Sequence, residues 1–339
     1  MSRAAPLALT LGDPRGVGPE IVVKAWQALR ERGPAFVVIG DLDTVSGAFF
    51  GGHEPTVERV RSPGEAAKLF RHVLPVLDSP YVRQLIPGST ADTRAGAIVR
   101  WIVQAAELAM AGKVSGVVTA PIAKAPLYEA GFKFPGHTEF LAELTAAAPF
   151  EGPRGPVMML TAKDLRVALV TIHMALADVP MAVTTAQVVH TARVTAAALQ
   201  RDFGIAGPRL ALAGLNPHAG ENGSIGREEI EVLAPAVALL RAEGIDISDP
   251  KPADTLFHKE ARKKYDAVIC LYHDQALIPV KTLDFWGGVN VSLGLPIVRT
   301  SPDHGTGFDI AGRGIARADS LIHAVKLAAQ IAERRAKSA

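Results

Sequence analysis

The stretch Asp266-Ala-Val-Ile-Cys-Leu-Tyr-His273-Asp274 says more about the fold than any other part of the sequence. It begins as a short apolar run with β-branched residues, which predicts a strand buried on both faces of a parallel sheet. The run ends in His273-Asp274, a polar pair that cannot continue a dry core. Ligands of open α/β sheets bind just beyond the carboxyl ends of the strands. The sequence therefore predicts a functional histidine at that edge of the sheet.

Two other apolar runs end in the same way. The run that starts at Arg166 ends in His173, and the run that starts at Arg209 leads to His218. A lone histidine after a strand is more often a turn residue, so the interpretation depends on the repetition. Three neutral imidazoles can hold a divalent metal and leave positions open for water or substrate. We therefore predict that His173, His218 and His273 bind one metal ion. Their wide spacing argues against a zinc finger.

Composition limits the class of protein. The 339 residues are 48% apolar and carry a formal net charge of +2. This length favours two domains or one large α/β unit, and the small charge gives no reason to expect a nucleic-acid partner. No apolar run approaches the roughly 18 residues that span a bilayer, and no signal-peptide pattern opens the chain. The single cysteine, Cys270, cannot form an internal disulfide. We expect a cytoplasmic protein with no membrane partner.

The rest of the chain alternates between strand and helix patterns. Helices are predicted over 180–203 and 228–243, between the runs that end in histidine, which favours a largely parallel sheet with helices on both faces. Near the start, a predicted strand over 5–11 leads into a glycine-rich loop over 12–20. This loop is not G-x-G-x-x-G and lacks the Lys-Ser/Thr of a P-loop. A phosphate cradle and an ordinary glycine turn are both compatible with it.

Two further segments carry polar candidates. Thr138 and Glu139 have the pattern of a first helical turn in a helix that runs to Ala147, and such a turn can bind an anion. His137 and Thr138 would donate to that anion, although ordinary capping explains the same residues. Asp254 lies in a loop, where it is either a carboxylate near the metal or a helix cap.

Six motifs occur in order along most of the chain. They are GDPRGVGPE at 12–20, GHTEFL at 136–141, GLNPHAGE at 214–221, ADTLF at 253–257, YHDQALIPVK at 272–281 and NVSLGLPIVRTSPDHGT at 290–306. With these motifs the sequence resembles the 4-hydroxythreonine-4-phosphate dehydrogenase family of pyridoxal phosphate biosynthesis. The match is specific, because unrelated short patterns would not keep this order.

The resemblance implies a fold and an assembly. The family has the isocitrate/isopropylmalate dehydrogenase-like α/β fold, with two α/β/α domains around a cleft. By resemblance the domains are 1–135 plus 295–339, and 136–294, of which the second carries the metal ligands and the dimer interface. The active site is then expected in the cleft, at the interface of a homodimer.

The resemblance also assigns site residues. The resemblance implies that His173, His218 and His273 are the ligands of the metal, which is zinc, magnesium or cobalt in the family. The implied substrate contacts are His137, Thr138, Lys281, Asn290 and Arg299. The implied cofactor contacts are Asp303, His304, Gly305 and Gly312. Ala175 and Gly307 stand where proline and alanine are common in the family, and neither change removes a functional group.

Three residues are candidates for catalytic work. We assign proton transfer to Lys281, with a plain phosphate or carboxylate contact as the alternative. Asp274 is expected to orient a metal ligand rather than to bind metal itself. Asp254 is the third candidate.

The implied reaction is the oxidation of 4-phosphooxy-L-threonine at C3 with NAD, or with NADP, followed by decarboxylation to 3-amino-2-oxopropyl phosphate. Related phosphorylated hydroxy acids, such as 4-phospho-threonate or 4-phospho-erythronate, are alternative substrates, as are aromatic dihydrodiol carboxylates. A metal-dependent hydrolase and a non-catalytic metabolite-binding protein are alternatives of another class.

Overall fold

The computed structural model describes residues 5–48, 55–81, 93–129 and 131–338. The chain divides into two compact units. The first comprises residues 1–149 and 295–333, and the second comprises residues 150–294 and 334–339. Residues 136–149, which the resemblance assigned to the second domain, lie in the first unit.

Strands and helices alternate in the first part of the chain. The strands are β1 (Leu7–Thr10), β2 (Phe36–Gly40), β3 (Val57–Arg59), β4 (Leu74–Asp78) and β5 (Val117–Thr119), and the helices are α1 (Gly18–Leu29), α2 (Leu42–Ser46), α3 (Pro63–Leu69), α4 (Thr93–Met110), α5 (Lys124–Glu129) and α6 (His137–Leu144). Helix α6 starts earlier and ends earlier than the predicted span from Thr138 to Ala147. It packs on α4 and buries Phe140 and Leu141, which is why it belongs to the first unit.

The second unit contains the next group of elements. They are strands β6 (Val157–Ala162), β7 (Leu165–Leu169), β8 (Arg209–Ala213), β9 (Asp246–Lys251), β10 (Ala267–Cys270) and β11 (Val289–Leu293), and helices α7 (Val179–Ala182), α8 (Thr185–Phe203), α9 (Ala234–Ala242), α10 (Lys259–Arg262) and α11 (His273–Leu283). The chain then returns to the first unit with β12 (Arg299–Pro302) and continues into α12 (Asp319–Ser338).

Both helices predicted in this region differ from their expected form. The helix predicted over 180–203 is divided into α7 and α8, because Thr184 and Gln187 form a capping box that starts a new helix. The helix predicted over 228–243 begins with a π-helical turn at Glu229–Leu233 before α9. Pro235 lies in the first turn of α9, where its missing N–H interrupts the hydrogen-bond ladder.

Each unit has its own strand order. In the first unit the order is β3-β4-β2-β1-β5-β12, with parallel pairing throughout. In the second unit it is β11-β6-β7-β10-β8-β9. Strand β6 pairs antiparallel with β11 and with β7, and the neighbouring strands β7, β10, β8 and β9 pair in parallel. Parallel pairing fits the helical crossovers that the sequence predicts.

Strand β10 lies among the parallel strands of the second unit, and all four of its residues are buried. Val268 and Cys270 pack with the side chains of β7 and β8 in one apolar cluster. Complete burial of a valine or isoleucine contributes about 1.5–3 kcal/mol, so the apolar run fixes the strand in this position. None of the described helices is both long and apolar enough to cross a membrane.

Candidate active site

The three predicted metal ligands follow three neighbouring strands. Strands β7, β10 and β8 are parallel and lie side by side, so their carboxyl ends share one edge of the sheet. His173 follows β7, His273 follows β10 and His218 follows β8. The strand arrangement that the sequence predicts for these histidines is therefore present.

Two of these histidines meet in a cavity. The ring centroids of His173 and His273 are 5.7 Å apart. The cavity has a volume of about 540 Å³. Its lining is completed by Ile172, Met174, Ala175, Leu176, Val179, Tyr272 and Asp274. A mostly apolar pocket with a few polar groups is the usual form of a small-molecule site.

A carboxylate orients His273. This residue is the first of α11, and its Nδ1 lies 2.6 Å from Oδ1 of Asp274. The Nε2 atom is then the ring nitrogen left for a ligand. Histidines that bind metal commonly use the other ring nitrogen to contact a carboxylate in this way. Asp274 therefore has the contact expected of a residue that orients a ligand.

A buried glutamine connects two of the strand ends. Gln275 accepts a hydrogen bond from the Leu271 amide at 2.7 Å, and its side-chain amide donates to the Gly214 carbonyl at 2.7 Å. These bonds join the end of β10 to the end of β8. The segments that carry His273 and His218 are therefore held together by hydrogen bonds beneath the site.

His218 lies in a turn of unusual conformation. Residues 218–222 all have positive φ, between 41° and 78°. Left-handed conformation costs roughly 1–2 kcal/mol for each residue other than glycine. Gly220 takes this conformation without that cost, but the other four residues do not. The turn must therefore be held by contacts that outweigh the strain, and such strain is concentrated at functional sites.

His218 also has carboxylate neighbours. Its Nδ1 lies 2.7 Å from Oε1 of Glu221. The hydrogen bond and charge of Glu221, followed by the charge of Asp254, raise the pKa of His218. Asp254 lies in a short 3₁₀ helix, Ala253–Thr255, and is exposed. The structure thus places predicted residues His218 and Asp254 near each other.

The three histidines do not form a ready-made metal cage. Among the described residues, no group of three His, Cys, Asp or Glu side chains is close enough to hold one ion. His173 and His273 come together, whereas His218 contacts Glu221. The donor chemistry nevertheless fits a divalent metal, because His218 and His273 each have a carboxylate at Nδ1 and Nε2 available for a ligand. A shared ion remains a proposal.

The first unit contains a separate polar cluster around Arg299. This side chain is buried, and its guanidinium donates to Oγ1 of Thr138 at 3.2 Å and to Oγ1 of Thr119 at 2.8 Å. Burial lowers the pKa of Arg299 to about 10, while the charge of Glu139 acts in the opposite direction. The guanidinium therefore stays charged at neutral pH, as an anion-binding group requires.

His137 belongs to the same cluster. Burial, followed by the positive charges of Arg299 and Lys124, lowers the pKa of His137 well below 6.5. Its ring is therefore neutral at neutral pH. The Nε2 atom is buried and has no hydrogen-bond partner in the part of the chain that the structure describes. A buried polar atom without a partner is costly, and a ligand would satisfy it.

The two other predicted substrate residues lie in the second unit. Lys281 is on α11, and its Nζ lies 5.3 Å from the centre of the Phe285 ring. Asn290 is on β11. Its Oδ1 atom is buried and makes no hydrogen bond within the described residues. Asn290 thus has the same unmet bonding capacity as His137.

One of the predicted cofactor residues, Gly312, lines a cavity in the first unit. Gly312 lies at a cavity of about 260 Å³, which the 12–20 loop also lines through Pro14, Arg15, Gly16, Pro19 and Glu20. Asp303, His304 and Gly305 are not among its lining residues. The Asp303 amide donates to Ser320 Oγ at 3.0 Å, and His304 Nδ1 lies 3.0 Å from the Gly305 carbonyl.

A partly buried ion pair holds the two loops of this cavity together. Lys24 Nζ lies 2.7 Å from Oε1 of Glu20, and it also donates to the carbonyls of Gly314 and Ala316. Glu20 accepts from the amides of the same two residues. The 12–20 loop, which the sequence left without a role, is thereby fixed against the loop that contains Gly312.

Sequence reasoning missed some of the residues in these sites. No motif of the sequence assigns a role to Lys124, but its charge helps to lower the pKa of His137. Arg15 and Gly312 line the same cavity, although they lie near opposite ends of the sequence. No local pattern indicates such contacts, because they arise only when distant loops pack together.

The comparisons with known proteins point to one family. A profile described as "Pyridoxal phosphate biosynthetic protein PdxA" matches residues 33–328. The 4-hydroxythreonine-4-phosphate dehydrogenase of Caulobacter vibrioides is 64% identical over 330 residues, which cover 97% of this chain and 98% of that protein.

Solved structures agree with the sequence matches. The crystal structure of 4-hydroxythreonine-4-phosphate dehydrogenase from Klebsiella pneumoniae has a TM-score of 0.81 at 37% identity, and covers 97% of this chain and 99% of that chain. A terephthalate 1,2-cis-dihydrodiol dehydrogenase from Burkholderia xenovorans has a TM-score of 0.62 at 30% identity, with coverage of 97% and 98%.

These matches confirm the predicted α/β fold class, because both solved dehydrogenases share the fold over nearly the whole chain. They also confirm the prediction of an oxidoreductase in pyridoxal phosphate biosynthesis. The chain belongs to the PdxA family of pyridoxal phosphate biosynthetic proteins.

Proposed function

We propose that the chain oxidises 4-phosphooxy-L-threonine at C3 with NAD and a divalent metal, and that the product then loses carbon dioxide. The hydroxyl proton would pass to a base and the C3 hydrogen would pass as hydride to NAD. The resulting β-keto acid would release its carboxylate as carbon dioxide, and C2 would take up a proton to give 3-amino-2-oxopropyl phosphate. The observation that carries the proposal is the meeting of His173 and His273 in one cavity at the strand ends.

The metal would be held by His173, His218 and His273. Bound there, a zinc, magnesium or cobalt ion would polarise the substrate hydroxyl and stabilise negative charge during decarboxylation. Asp274 would keep Nε2 of His273 directed toward the ligand through its contact with Nδ1. Asp254 would act on His218 through its charge.

The anionic groups of the substrate would be bound by the polar cluster of the first unit. Arg299 supplies a fixed charge, and Thr138 lies in the first turn of α6, where backbone amides are available. His137 supplies a neutral imidazole whose buried Nε2 needs a partner. These three donors suit a phosphate oxygen or a carboxylate.

Lys281 and Asn290 are further proposed substrate contacts. We assign proton transfer at the C3 hydroxyl to the Lys281 amine. The buried Oδ1 of Asn290 can accept a hydrogen bond from the substrate ammonium or hydroxyl. Their separate roles predict that Lys281→Met lowers kcat and that Asn290→Ala mainly raises KM.

The nicotinamide cofactor would use the cavity that contains Gly312 and Arg15. The cofactor accepts the hydride when bound. At Gly312 a Cβ atom would meet nothing within 4 Å, so a nucleotide could approach the backbone closely there, and Arg15 places a cation at the same cavity. Asp303, His304 and Gly305 remain proposed contacts from the same loop. The chain would use NAD, with NADP as an alternative.

The active enzyme would be a homodimer in the cytoplasm. Leu176 and Met181 follow His173 in the chain, and their side chains are 69% and 86% exposed. Large apolar side chains with such exposure commonly mark an interaction surface. A second copy of the chain would cover them beside the metal cavity. Sedimentation of the Met181→Lys variant as a monomer, against a dimeric wild type, would support this assembly.

A substrate panel tests the proposed reaction. The metal-loaded protein is expected to form NADH from 4-phosphooxy-L-threonine faster than from 4-phospho-erythronate or an aromatic dihydrodiol carboxylate. NADH formation only from one of the other substrates would contradict the proposed substrate. Release of phosphate without any requirement for nicotinamide would indicate a hydrolase instead.

A further inference from the structure

We infer that Glu229 is a positioning residue that holds the His218 turn, residues 214–226, in its left-handed conformation. The inference rests on the proposed role of His218 as a metal ligand. Glu229 is 6% exposed and is the first residue of the π-helical turn before α9. It does not belong to any of the candidate ligand sets described above, and no motif in the sequence assigns it a role.

Glu229 binds the start of the turn through three hydrogen bonds. Its Oε1 accepts from the backbone amides of Leu215 at 2.7 Å and Asn216 at 2.8 Å. Its Oε2 accepts from the side-chain amide of Asn216 at 2.9 Å. A carboxylate that accepts several amide bonds is a strong anchor, because the charge shortens and strengthens each bond.

The middle of the turn closes over the same carboxylate. A Cβ atom at Gly220 would lie 2.7 Å from Oε2 of Glu229, and one at Gly214 would lie 3.3 Å from Oε1. Gly220 has φ +78°, a conformation that glycine adopts without strain. The backbone therefore wraps around Glu229 more closely than a side chain would allow.

The far end of the turn is fixed through Asn216. A Cβ atom at Gly226 would lie 2.4 Å from Nδ2 of Asn216, the atom that donates to Glu229 and, at 2.7 Å, to Glu228. The start, middle and end of the turn thus all contact Glu229 or its partner Asn216. His218 lies between these contacts and makes its hydrogen bond to Glu221 within the same turn.

The π-helical turn explains how Glu229 reaches this position. A π-turn adds one residue to a helical turn and shifts the direction of the side chains in it. Such turns are frequent at functional sites. Here the turn directs the Glu229 carboxylate into the loop that carries His218, at the carboxyl end of β8.

Loss of the Glu229 carboxylate would release the turn. In Glu229→Gln, an amide group that donates replaces one of the two acceptor oxygens. This group faces either the backbone amides of Leu215 and Asn216 or the side-chain amide of Asn216, all of which are donors as well. The strained residues 218–222 then lose an anchor, and His218 loses its fixed position. If Glu229 positions the turn, Glu229→Gln should bind metal more weakly and the backbone of the turn should become more mobile. If Glu229 contributes only to general stability, neither of these local effects is expected.

Co²⁺ binding and hydrogen exchange test the two parts of the inference. Wild type, Glu229→Gln and one control variant are titrated with Co²⁺ and followed by its visible absorption. The control is Glu231→Gln, whose carboxylate forms an exposed ion pair with Arg227. Glu229→Gln is expected to weaken Co²⁺ binding roughly 10- to 100-fold and to speed exchange of the Leu215 and Asn216 amides. The control is expected to leave both unchanged. Wild-type affinity and exchange in Glu229→Gln would overturn the inference.

A pair of glycine variants tests the same contact from the loop side. Gly220→Ala places a methyl group against the Glu229 carboxylate, whereas Gly244→Ala, at φ +81°, has the same backbone strain with no neighbour within 4 Å. Weaker Co²⁺ binding is expected in Gly220→Ala alone. Equal effects of the two variants would overturn the inference, and this comparison remains available if Glu229→Gln does not fold.

The His218→Ala variant separates this inference from the proposed function. If Co²⁺ binding is lost in His218→Ala but unchanged in Glu229→Gln, the metal role stands and the positioning role is overturned. If Co²⁺ binding survives in His218→Ala, the metal role of His218 fails, and only the metal-binding part of the inference fails with it. Amide exchange at Leu215 and Asn216 would then still report whether Glu229 holds the turn.

Discussion

The guanidinium of Arg299 donates to Oγ1 of Thr138 across 3.2 Å, although 161 positions separate the two residues in the chain. Both residues lie in the first unit, Thr138 in the first turn of α6 and Arg299 at the start of β12. The contact joins two residues that the sequence motifs assigned separately to substrate binding. It creates a buried cationic cluster, together with Thr119, in which an anionic group of the substrate can be bound.

Arg299→Lys is expected to weaken substrate binding more than catalysis. A lysine ammonium cannot reproduce the planar guanidinium that contacts both Thr119 and Thr138. Loss of a hydrogen bond to a charged group costs about 1.5–3 kcal/mol, which corresponds to a rise in KM of roughly 10- to 100-fold. Steady-state kinetics check this, with Arg100→Lys, an exposed residue of α4, as control. A fall in kcat with unchanged KM would contradict the role.

Asp274→Asn is expected to weaken the metal site without changing the fold. The variant keeps the size of the side chain but replaces the carboxylate that contacts Nδ1 of His273. Loss of such a partner typically lowers metal affinity roughly 10- to 100-fold. Competition with a chelating dye measures the effect, and Asp309→Asn, in the exposed loop of the first unit, serves as control. Equal affinities in both variants would remove Asp274 from the site.

Arg15→Glu is expected to affect the nicotinamide cofactor alone. Arg15 is exposed and lines the cavity that contains Gly312, so reversal of its charge repels the cofactor phosphates. An exposed charge has a modest effect, so KM for NAD should rise by about fivefold while KM for the substrate is unchanged. Arg32→Glu, also exposed in the first unit, is the control. A change in substrate KM instead would place the cofactor elsewhere.

Asp202 is expected to make the protein sensitive to acid. Burial raises the pKa of this carboxyl, but hydrogen bonds from Arg201 and Arg335 outweigh burial, and the net pKa lies below 3.8. Because the folded pKa is depressed, the stabilisation is present above the unfolded pKa and is lost as pH falls through the folded pKa.

Asp202→Asn is therefore expected to lower the free energy of unfolding by about 3–5 kcal/mol at neutral pH, because Arg201 and Arg335 lose a buried partner. The difference from wild type should shrink below about pH 4. Urea unfolding across this pH range measures it, with exposed Asp249→Asn as control. A difference that does not depend on pH would contradict the ionic explanation.

Much of the fold follows from local patterns. The apolar runs before His173, His218 and His273 predict buried parallel strands, and their carboxyl ends do share one edge. This inference works because continuous apolar strands are stable only in the middle of a covered sheet. The glycine-rich loop over 12–20 was also recognisable, although its cavity was not.

The remaining features depend on packing that no local pattern contains. The left-handed turn at His218 exists because Glu229 anchors it from a later helix, and propensities of residues 218–222 alone would not predict it. The neutral state of His137 depends on burial near Arg299 and Lys124. Tertiary contacts therefore decide the geometry and charge of the site, while the sequence pattern decides which residues are near it.

X-ray absorption of the zinc-loaded protein tests the central claim most directly. The account predicts three imidazole nitrogens at about 2.0–2.1 Å from the ion in the wild type, and two in His218→Ala. A wild-type ion with two or fewer imidazole ligands, unchanged in His218→Ala, would contradict a shared site of His173, His218 and His273.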